Sequence, residues 1–150
     1  MEKKLDPSLN IKLIDAKSSQ DLEDAFHVRR EVFVKEQKVP EEEEFDRADL
    51  RSRHVVVYAN TRPVATGRLF NDGETWLIGR ISVLKECRGK KVGKLVVDKL
   101  LETAVKMGAG EVYIHAQTHA VSFYEKFGFV AYGETFLETN IEHISMVKKS

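Results

Sequence analysis

One stretch constrains this chain more than any other: Ile81–Leu101, reading ISVLKECRGKKVGKLVVDKLL. An alternating apolar run, Ile81 and Val83, ends in a charged turn. A glycine-bearing basic segment follows, Arg88-Gly89-Lys90-Lys91-Val92-Gly93-Lys94, and opens directly into a helical pattern. In that pattern Val92, Val96, Leu100, Ala104 and Met107 form one stripe, widened by Val97, Leu101 and Val105. Lys94, Asp98, Lys99 and Glu102 stay outside it, and Gly108 supplies the stop. A strand, a turn with small residues and a helix start together suit phosphate. The first helical N–H groups lack intrahelical acceptors, and the dipole makes that end positive. Glycines admit close approach, and Lys and Arg add charge. Two phosphate motifs are excluded. A Walker loop needs four residues between its glycines and a hydroxyl after the lysine; here three separate Gly89 from Gly93, and Leu95 replaces the hydroxyl. The dinucleotide pattern G-x-G-x-x-G is absent. A basic, solvated helix start is the competing reading of the same residues.

The 150 residues fit one domain spanning 1–150, with 1–10 as a loose lead-in. Hydrophobic residues make up 42% and charged residues 32%, an ordinary balance for a soluble globular chain. Net charge is zero but unevenly placed. Gln20–Leu50 holds eleven Asp/Glu against five Lys/Arg; Lys85–Lys106 holds seven Lys/Arg against three Asp/Glu. That asymmetry suits an anionic ligand on one side and a cationic one on the other. With zero net charge and few aromatics near the basic helix, a nucleic-acid partner is not expected. The single cysteine, Cys87, forbids an internal disulfide and points to a reducing compartment. No stretch reaches membrane-span length and the N-terminus lacks a signal-peptide core, so a cytoplasmic protein without a membrane partner is expected. No metal site is expected.

Taken in order, Ile11–Ile14 reads as a short strand. Ser18 or Ser19 can cap a helix with Asp21, Glu23 and Asp24 in its first turn and Leu22, Phe26 and Phe33 on its apolar face, running to about Lys35. Pro40 follows its stop. Glu41-Glu42-Glu43-Glu44-Phe45-Asp46 is either solvated surface or a negative rim that attracts an amine. His54–Ala59, Val64–Phe70 and Thr75–Leu84 read as strands, with turn signals at Asn60-Thr61-Arg62-Pro63 and Asn71-Asp72-Gly73. Beyond the long helix come a strand at Glu111–Ala116, a short helix from about His119 to Phe127, and strands at Phe129–Phe136 and Ile141–Val147. Strands at both ends and one strand-helix-strand crossover between them imply a single mixed α/β sheet with helices packed on it.

The segment Arg88-Gly89-Lys90-Lys91-Val92-Gly93 resembles the pyrophosphate loop of the GNAT superfamily of acyl-CoA-dependent N-acyltransferases, with Lys91 in the place of the middle glycine. Ala120-Val121-Ser122-Phe123-Tyr124-Glu125-Lys126-Phe127-Gly128-Phe129 is similar to that superfamily's A-x-x-F-Y-E-K-x-G-F, about 30 residues after the glycine loop. Val32–Pro40 with Glu44-Phe45-Asp46, and the tail Phe136–Met146, are similar to its ElaA/YjcF-like branch. The resemblance covers roughly residues 11–148. It implies the GNAT fold: a single, mostly antiparallel sheet of six or seven strands with helices on both faces, splayed where the strand ending at Leu84 meets the one starting at Glu111.

The resemblance also implies acetyl-CoA as cofactor, a small-molecule amine as acceptor, and direct transfer through a ternary complex. A homodimer is a family-level expectation. N-acetylation needs a polarised thioester carbonyl, an unprotonated amine, and a proton for the leaving thiolate. An alkyl amine of pKa ~10.4 is neutral in only about one part in 10³ at pH 7, a penalty above roughly 4 kcal/mol. By resemblance, backbone at Ile81, Ser82 and Val83 polarises the carbonyl. Arg88, Gly89, Lys90, Lys91, Val92, Gly93 and Lys94 hold the cofactor's phosphates, and Gln117 and Ser122 contact the cofactor. Tyr124 is the candidate acid for sulfur. Five histidines compete as base, His27, His54, His115, His119 and His143. The resemblance favours His143, which precedes Ile-Ser-Met. Phe33, Glu44, His115 and Glu138 are expected at the acceptor. Arg80 reads either as a ligand for an acceptor carboxylate or phosphate, or as a surface or inter-strand salt bridge. A non-catalytic acyl-CoA sensor and an enzyme acting on protein amines are the alternatives.

Overall fold

The computed structural model describes residues 8–15 and 19–149. Most of the lead-in and Ser18 lie outside the described residues. Strand β1 (Leu9–Asp15) is followed by helix α1 (Ser19–Arg29), which runs on as a wider π-helical segment, Arg30–Glu36. Two short helical turns come next, α2 (Glu41–Glu44) and a 3₁₀ turn (Arg47–Arg51). Strands β2 (Arg53–Ala59), β3 (Arg62–Asn71) and β4 (Trp76–Val83) form an antiparallel meander. Helix α3 (Val92–Lys106) crosses to β5 (Glu111–Gln117), and α4 (Val121–Glu125) leads to the hairpin of β6 (Val130–Glu138) and β7 (Ile141–Lys149). All seven strands belong to one sheet, ordered β1-β2-β3-β4-β5-β7-β6.

The alternation of β2 shows how the layers assemble. Val55 and Val57 point to one face, where they join Val96, Val97 and Leu100 of α3 in the main core. Val56 points to the other, against Ala25 of α1 and Ile14 of β1. On that second face the Tyr58 hydroxyl donates to Asp24 of α1 at 2.7 Å. Helices therefore cover both faces, as period-two strands with two apolar faces require. Gly67 of β3 lets α3 approach: a Cβ there would lie 2.6 Å from Val96 Cγ1 and 2.8 Å from Leu100 Cδ1.

Two features of β4 create the cleft. It pairs with β5 in parallel, but only over Trp76–Ile78 against Val112–Ile114. Beyond that point the strands diverge, although β4 continues to Val83 and β5 to Gln117. On its other side, β4 is bulged. Thr66 pairs with Ser82 and Arg68 with Gly79, so Arg80 and Ile81 together oppose Gly67. Arg80 takes the extra place at φ 52°. A bulge takes a residue out of the ladder and re-aims its neighbours.

Candidate active site

A cleft of about 1270 Å³ opens where β4 and β5 part. Its lining runs from the loop before α3, past Tyr124, to the β6–β7 turn.

At the basic end, Arg88, Gly89, Lys91, Val92, Gly93 and Lys94 all line the cleft. Gly89 has φ 79°, and Lys91, immediately before α3, has φ 62° and ψ 17°. The middle-glycine position of the resemblance thus keeps a glycine-like conformation while carrying a lysine. The resulting turn exposes the first N–H groups of a fifteen-residue helix beside cationic side chains, a fit for a diphosphate. Arg88 is already engaged. Its Nη1 and Nη2 donate to the two carboxylate oxygens of Glu36 at 2.6 and 2.7 Å, and its Nε donates to the Val83 carbonyl at 3.0 Å. Next to Glu36, the Gln37 and Gln117 side-chain amides exchange contacts at 3.0 and 3.4 Å. The end of the π-helical segment therefore ties to both diverging walls.

In the middle, Ile81, Ser82 and Val83 of the bulged strand line one wall, and Phe123 and Tyr124 of α4 the other. Tyr124 is 7% exposed. Among the described residues its hydroxyl makes no hydrogen bond, and burial pushes its phenol above the usual tyrosine value. It is a neutral O–H donor at working pH.

The far end is built from β3, β4, β5 and the β6–β7 hairpin. His143 Nδ1 lies 2.6 Å from the Ile141 carbonyl. A carbonyl only accepts, so in the neutral ring Nδ1 carries the proton and Nε2 the lone pair. The ring stacks on Phe136, 6.0 Å between centroids. His115 packs edge-on against the same Phe136 and places Nδ1 3.4 Å from Glu138 Oε2. That carboxylate raises the His115 pKa, and His115 in turn lowers that of Glu138. The contact is an ion pair without hydrogen-bond alignment. Glu138 Oε2 is buried with no hydrogen-bond partner among the described residues.

Under this end lies an ion network that the sequence does not announce. Arg29 is fully buried against the paired rings of Phe26 and Phe45, at 5.2 and 5.0 Å. Its Nε donates to Glu44 at 2.9 Å and its Nη1 to Asp49 at 2.6 Å. Arg68 Nη1 donates to Asp46 Oδ1 and Asp49 Oδ1 at 2.7 and 2.9 Å. Arg80 reaches the Glu44 carbonyl at 3.1 Å and Asp46 Oδ2 at 3.2 Å. Three arginines and three carboxylates thus fasten the Glu41–Arg51 segment to the bulge. Burial raises the Glu44 pKa, while Arg29 holds Asp49 below the usual carboxylate range against the opposing cost of burial.

Of the residues expected at the site, Phe33, Glu44, Arg80, Ile81, Ser82, Val83, Arg88, Gly89, Lys91, Val92, Gly93, Lys94, His115, Gln117, Tyr124, Glu138 and His143 share the cleft. Lys90 and Ser122 do not line it. Both are exposed: Lys90 sits at the outer apex of the turn, and Ser122 precedes the two α4 residues, Phe123 and Tyr124, that face inward. The acidic run divides: Glu41, Glu42 and Glu43 are exposed, whereas Glu44 is 4% exposed and salt-bridged. Arg80 is both salt-bridged and in the cleft wall, so the two readings of it are not exclusive. Among the other histidines, His54 is a core residue whose Nε2–H donates to the Asp49 carbonyl at 2.9 Å. His119 lines the cleft and bonds Gln117 at 2.7 Å; His27 does not line it. Sequence reasoning gave no role to Arg29 or Arg68, and it named Asp46, Glu36 and Gln37 only as parts of longer stretches, without their partners. For Arg29, Glu36, Asp46 and Asp49 the early signal was the density of opposite charges between Gln20 and Leu50; Arg68 had none.

Comparison with known proteins agrees with this geometry. The family model for the acetyltransferase (GNAT) domain matches residues 14–150. The chain is 42% identical over 139 residues to the uncharacterized N-acetyltransferase YjcF of Bacillus subtilis, covering 92% of this chain and 99% of that one. Its fold is similar to the crystal structure of Escherichia coli ElaA, with TM-score 0.86 and 32% identity over 94% of this chain and 99% of that one. It is similarly close to an acyl-CoA N-acyltransferase from Pseudomonas aeruginosa, with TM-score 0.85 and 30% identity over 93% and 99%.

Proposed function

The chain belongs to the GNAT acetyltransferase family and is an acyltransferase, and on that premise we propose that it moves the acetyl group of acetyl-CoA directly to the primary amine of a small molecule. The observation that carries this reading is the order of groups along one cleft: a basic helix start, then a buried phenol, then an imidazole lone pair beside a carboxylate. Acetyl-CoA, when bound, supplies an acetyl group activated as a thioester. Arg88, Lys91 and Lys94, with the N–H groups of the α3 start, hold its phosphates. Backbone at the Arg80–Ile81 bulge, freed from the ladder, offers an N–H to the reacting carbonyl oxygen. His143 Nε2 takes a proton from the acceptor ammonium, and its Nδ1–H bond to Ile141 fixes the tautomer that can do so. Tyr124 gives a hydrogen bond, and finally a proton, to the departing sulfur. Its raised pKa makes complete transfer uphill in isolation, so the hydrogen bond carries most of its effect. No helix among the described residues is long and apolar enough to cross a membrane.

Release of free CoA from acetyl-CoA, measured across a panel of amines, tests the reading directly. A companion thermal-shift titration with acetyl-CoA reports binding. Tyr124→Phe removes a hydroxyl without a partner, so it leaves folding and acetyl-CoA binding near wild type and lowers turnover by roughly 10²-fold. Loss of acetyl-CoA binding in that variant would contradict the role assigned to Tyr124, and no stabilisation of the wild type by millimolar acetyl-CoA would contradict the whole reading.

A further inference from the structure

The far end of the cleft has hydrogen-bonding groups left over, and they fall into two sets. Among the described residues Arg80 uses Nε and Nη2 but not Nη1, and Arg68 uses Nη1 but neither Nη2 nor Nε. Both side chains are partly buried, Arg68 at 12% and Arg80 at 22% exposure, and both line the cleft. These are donors on fixed cations. The other set is made of acceptors: Glu138 Oε2, buried and without a hydrogen-bond partner, and the Nε2 lone pair of His143. All four residues line the one cleft, with Glu138 and His143 on paired strands of the β6–β7 hairpin, and Arg80 is close enough to Glu138 to add to the larger effect by which His115 lowers the pKa of that carboxylate. Both sets therefore face the same cleft.

Charge balance narrows what that molecule is. Arg29, Arg68 and Arg80 are matched one for one by Glu44, Asp46 and Asp49. Glu138 is matched by His115, which it holds toward the protonated form. A lone cation or a lone anion would unbalance a partly desolvated site, and uncompensated charge there is costly. A ligand with one charge of each sign satisfies both sets and adds none. The negative group is recognisable too. Asp46 already shows what fits between the two guanidiniums, giving one oxygen to Arg68 and the other to Arg80 at 2.7 and 3.2 Å. A carboxylate is thus a group that these two guanidiniums already share, and Arg80 Nη1 with Arg68 Nη2 and Nε are left to receive a second one.

We propose that the acceptor is a zwitterionic amino acid, its carboxylate held by the unused N–H groups of Arg80 and Arg68 and its ammonium by Glu138 and His143. The inference rests on the acetyltransferase reading for what happens to the amine, but not for what binds. Glu138 is a binding residue in this scheme. It fixes the ammonium beside His143, which removes the proton before acetyl transfer.

The test is a matched ligand set: α-, β- and γ-amino acids of several sizes, each with its carboxamide and its decarboxylated amine. Each is assayed for CoA release with acetyl-CoA, and separately for binding by calorimetry to the protein saturated with CoA. At least one acid should exceed both of its partners by about tenfold or more in kcat/KM. Arg80→Gln should bring that ratio close to one, and Glu138→Gln should raise KM more than it lowers kcat. The comparison on unaltered protein stands even if Arg80→Gln fails to fold. If amides or decarboxylated amines are acetylated as well as acids, the inference is overturned and the transferase reading survives. If nothing is acetylated but acids alone bind, the inference stands and the transferase reading falls. If neither transfer nor selective binding is seen, the inference is overturned.

Discussion

Arg88 is suited to a diphosphate, yet it already holds a carboxylate. The Glu36 pair is bidentate at 2.6 and 2.7 Å, and its side chains are 41% and 36% exposed. An incoming phosphate must take N–H groups from Glu36 or share them beside a like charge. The carboxylate therefore competes with the cofactor, and its removal should tighten binding. Exposed ion pairs are worth about 0.2–1 kcal/mol, with bidentate arginine pairs at the upper end. One decade of affinity is about 1.4 kcal/mol, so Glu36→Gln should lower the acetyl-CoA dissociation constant by up to about fivefold. Arg88→Gln should raise it by about tenfold, the loss of one charge-assisted contact. In the Arg88→Gln background, Glu36→Gln should have little further effect, because the competition is gone. Isothermal titration at 0.15 M salt measures all four corners of the cycle. If Glu36→Gln weakens binding as much as Arg88→Gln does, then Glu36 positions the guanidinium for the phosphate and the competition argument is wrong.

Three other perturbations read different links of the chain. Gly67→Ala forces a methyl within 2.6 Å of Val96 and 2.8 Å of Leu100, so it should cost about 1–3 kcal/mol, seen as a lower denaturation midpoint in urea. His54 is fully buried, and burial lowers its pKa below the unfolded value of about 6.5. Below pH 6.5 the unfolded chain gains a proton that the folded chain refuses, so stability should fall as pH falls from 6.5. His115, raised by Glu138, works in the opposite direction, so the check compares melting curves of wild type and His54→Gln: the variant should lose the steeper part of the decline. Lys91→Gly removes a left-handed lysine costing about 1–2 kcal/mol, but returns up to about 1 kcal/mol of freedom to the unfolded chain. Its melting temperature should move little, while acetyl-CoA binding weakens and becomes less salt-sensitive.

The strands, the crossover helix and the two motifs of the cleft were legible because each is periodic or local. Of the stripe on α3, Val92, Val96, Val97, Leu100 and Ala104 are buried as expected, whereas Val105 and Met107, at the end of the helix where it leaves the sheet, are exposed; β2, read as a buried strand, is buried from His54 to Val57. The strand edges moved by at most two residues, and the first helix changed character at Arg30 rather than ending. Nothing in a 3.6-residue pattern separates a π-helical turn from an α-helical one. The ion network was illegible for a different reason. Arg29, Arg68 and Arg80 lie on three elements, and nothing local pairs them with Glu44, Asp46 and Asp49. A buried arginine looks like any other arginine until its partners are brought to it. The acidic run misled in the same way: four equal glutamates in sequence become three exposed ones and one core residue, because only Glu44 meets the Arg29 side chain.

The places where local rules fail cluster at the cleft. Among the described residues six non-glycine residues have positive φ, and three of them line it: Arg80 at 52°, Lys91 at 62° and Thr139 at 51°. A left-handed conformation costs an L residue roughly 1–2 kcal/mol, and more for a β-branched one such as Thr139. Glycine would remove the cost at each position. It would also remove the side chain, and at Arg80 and Lys91 the side chain is a cation facing the cleft. The geometry and the charge are therefore needed at the same residue. At Arg80 the bulge that turns the backbone of β4 toward the cleft also carries the guanidinium that anchors Asp46. At Lys91 the turn that uncovers the α3 N–H groups also supplies a cation beside them. Strain at these positions comes from one residue performing two tasks, with the Arg29 network and the α3 packing beneath supplying the stability that tolerates it.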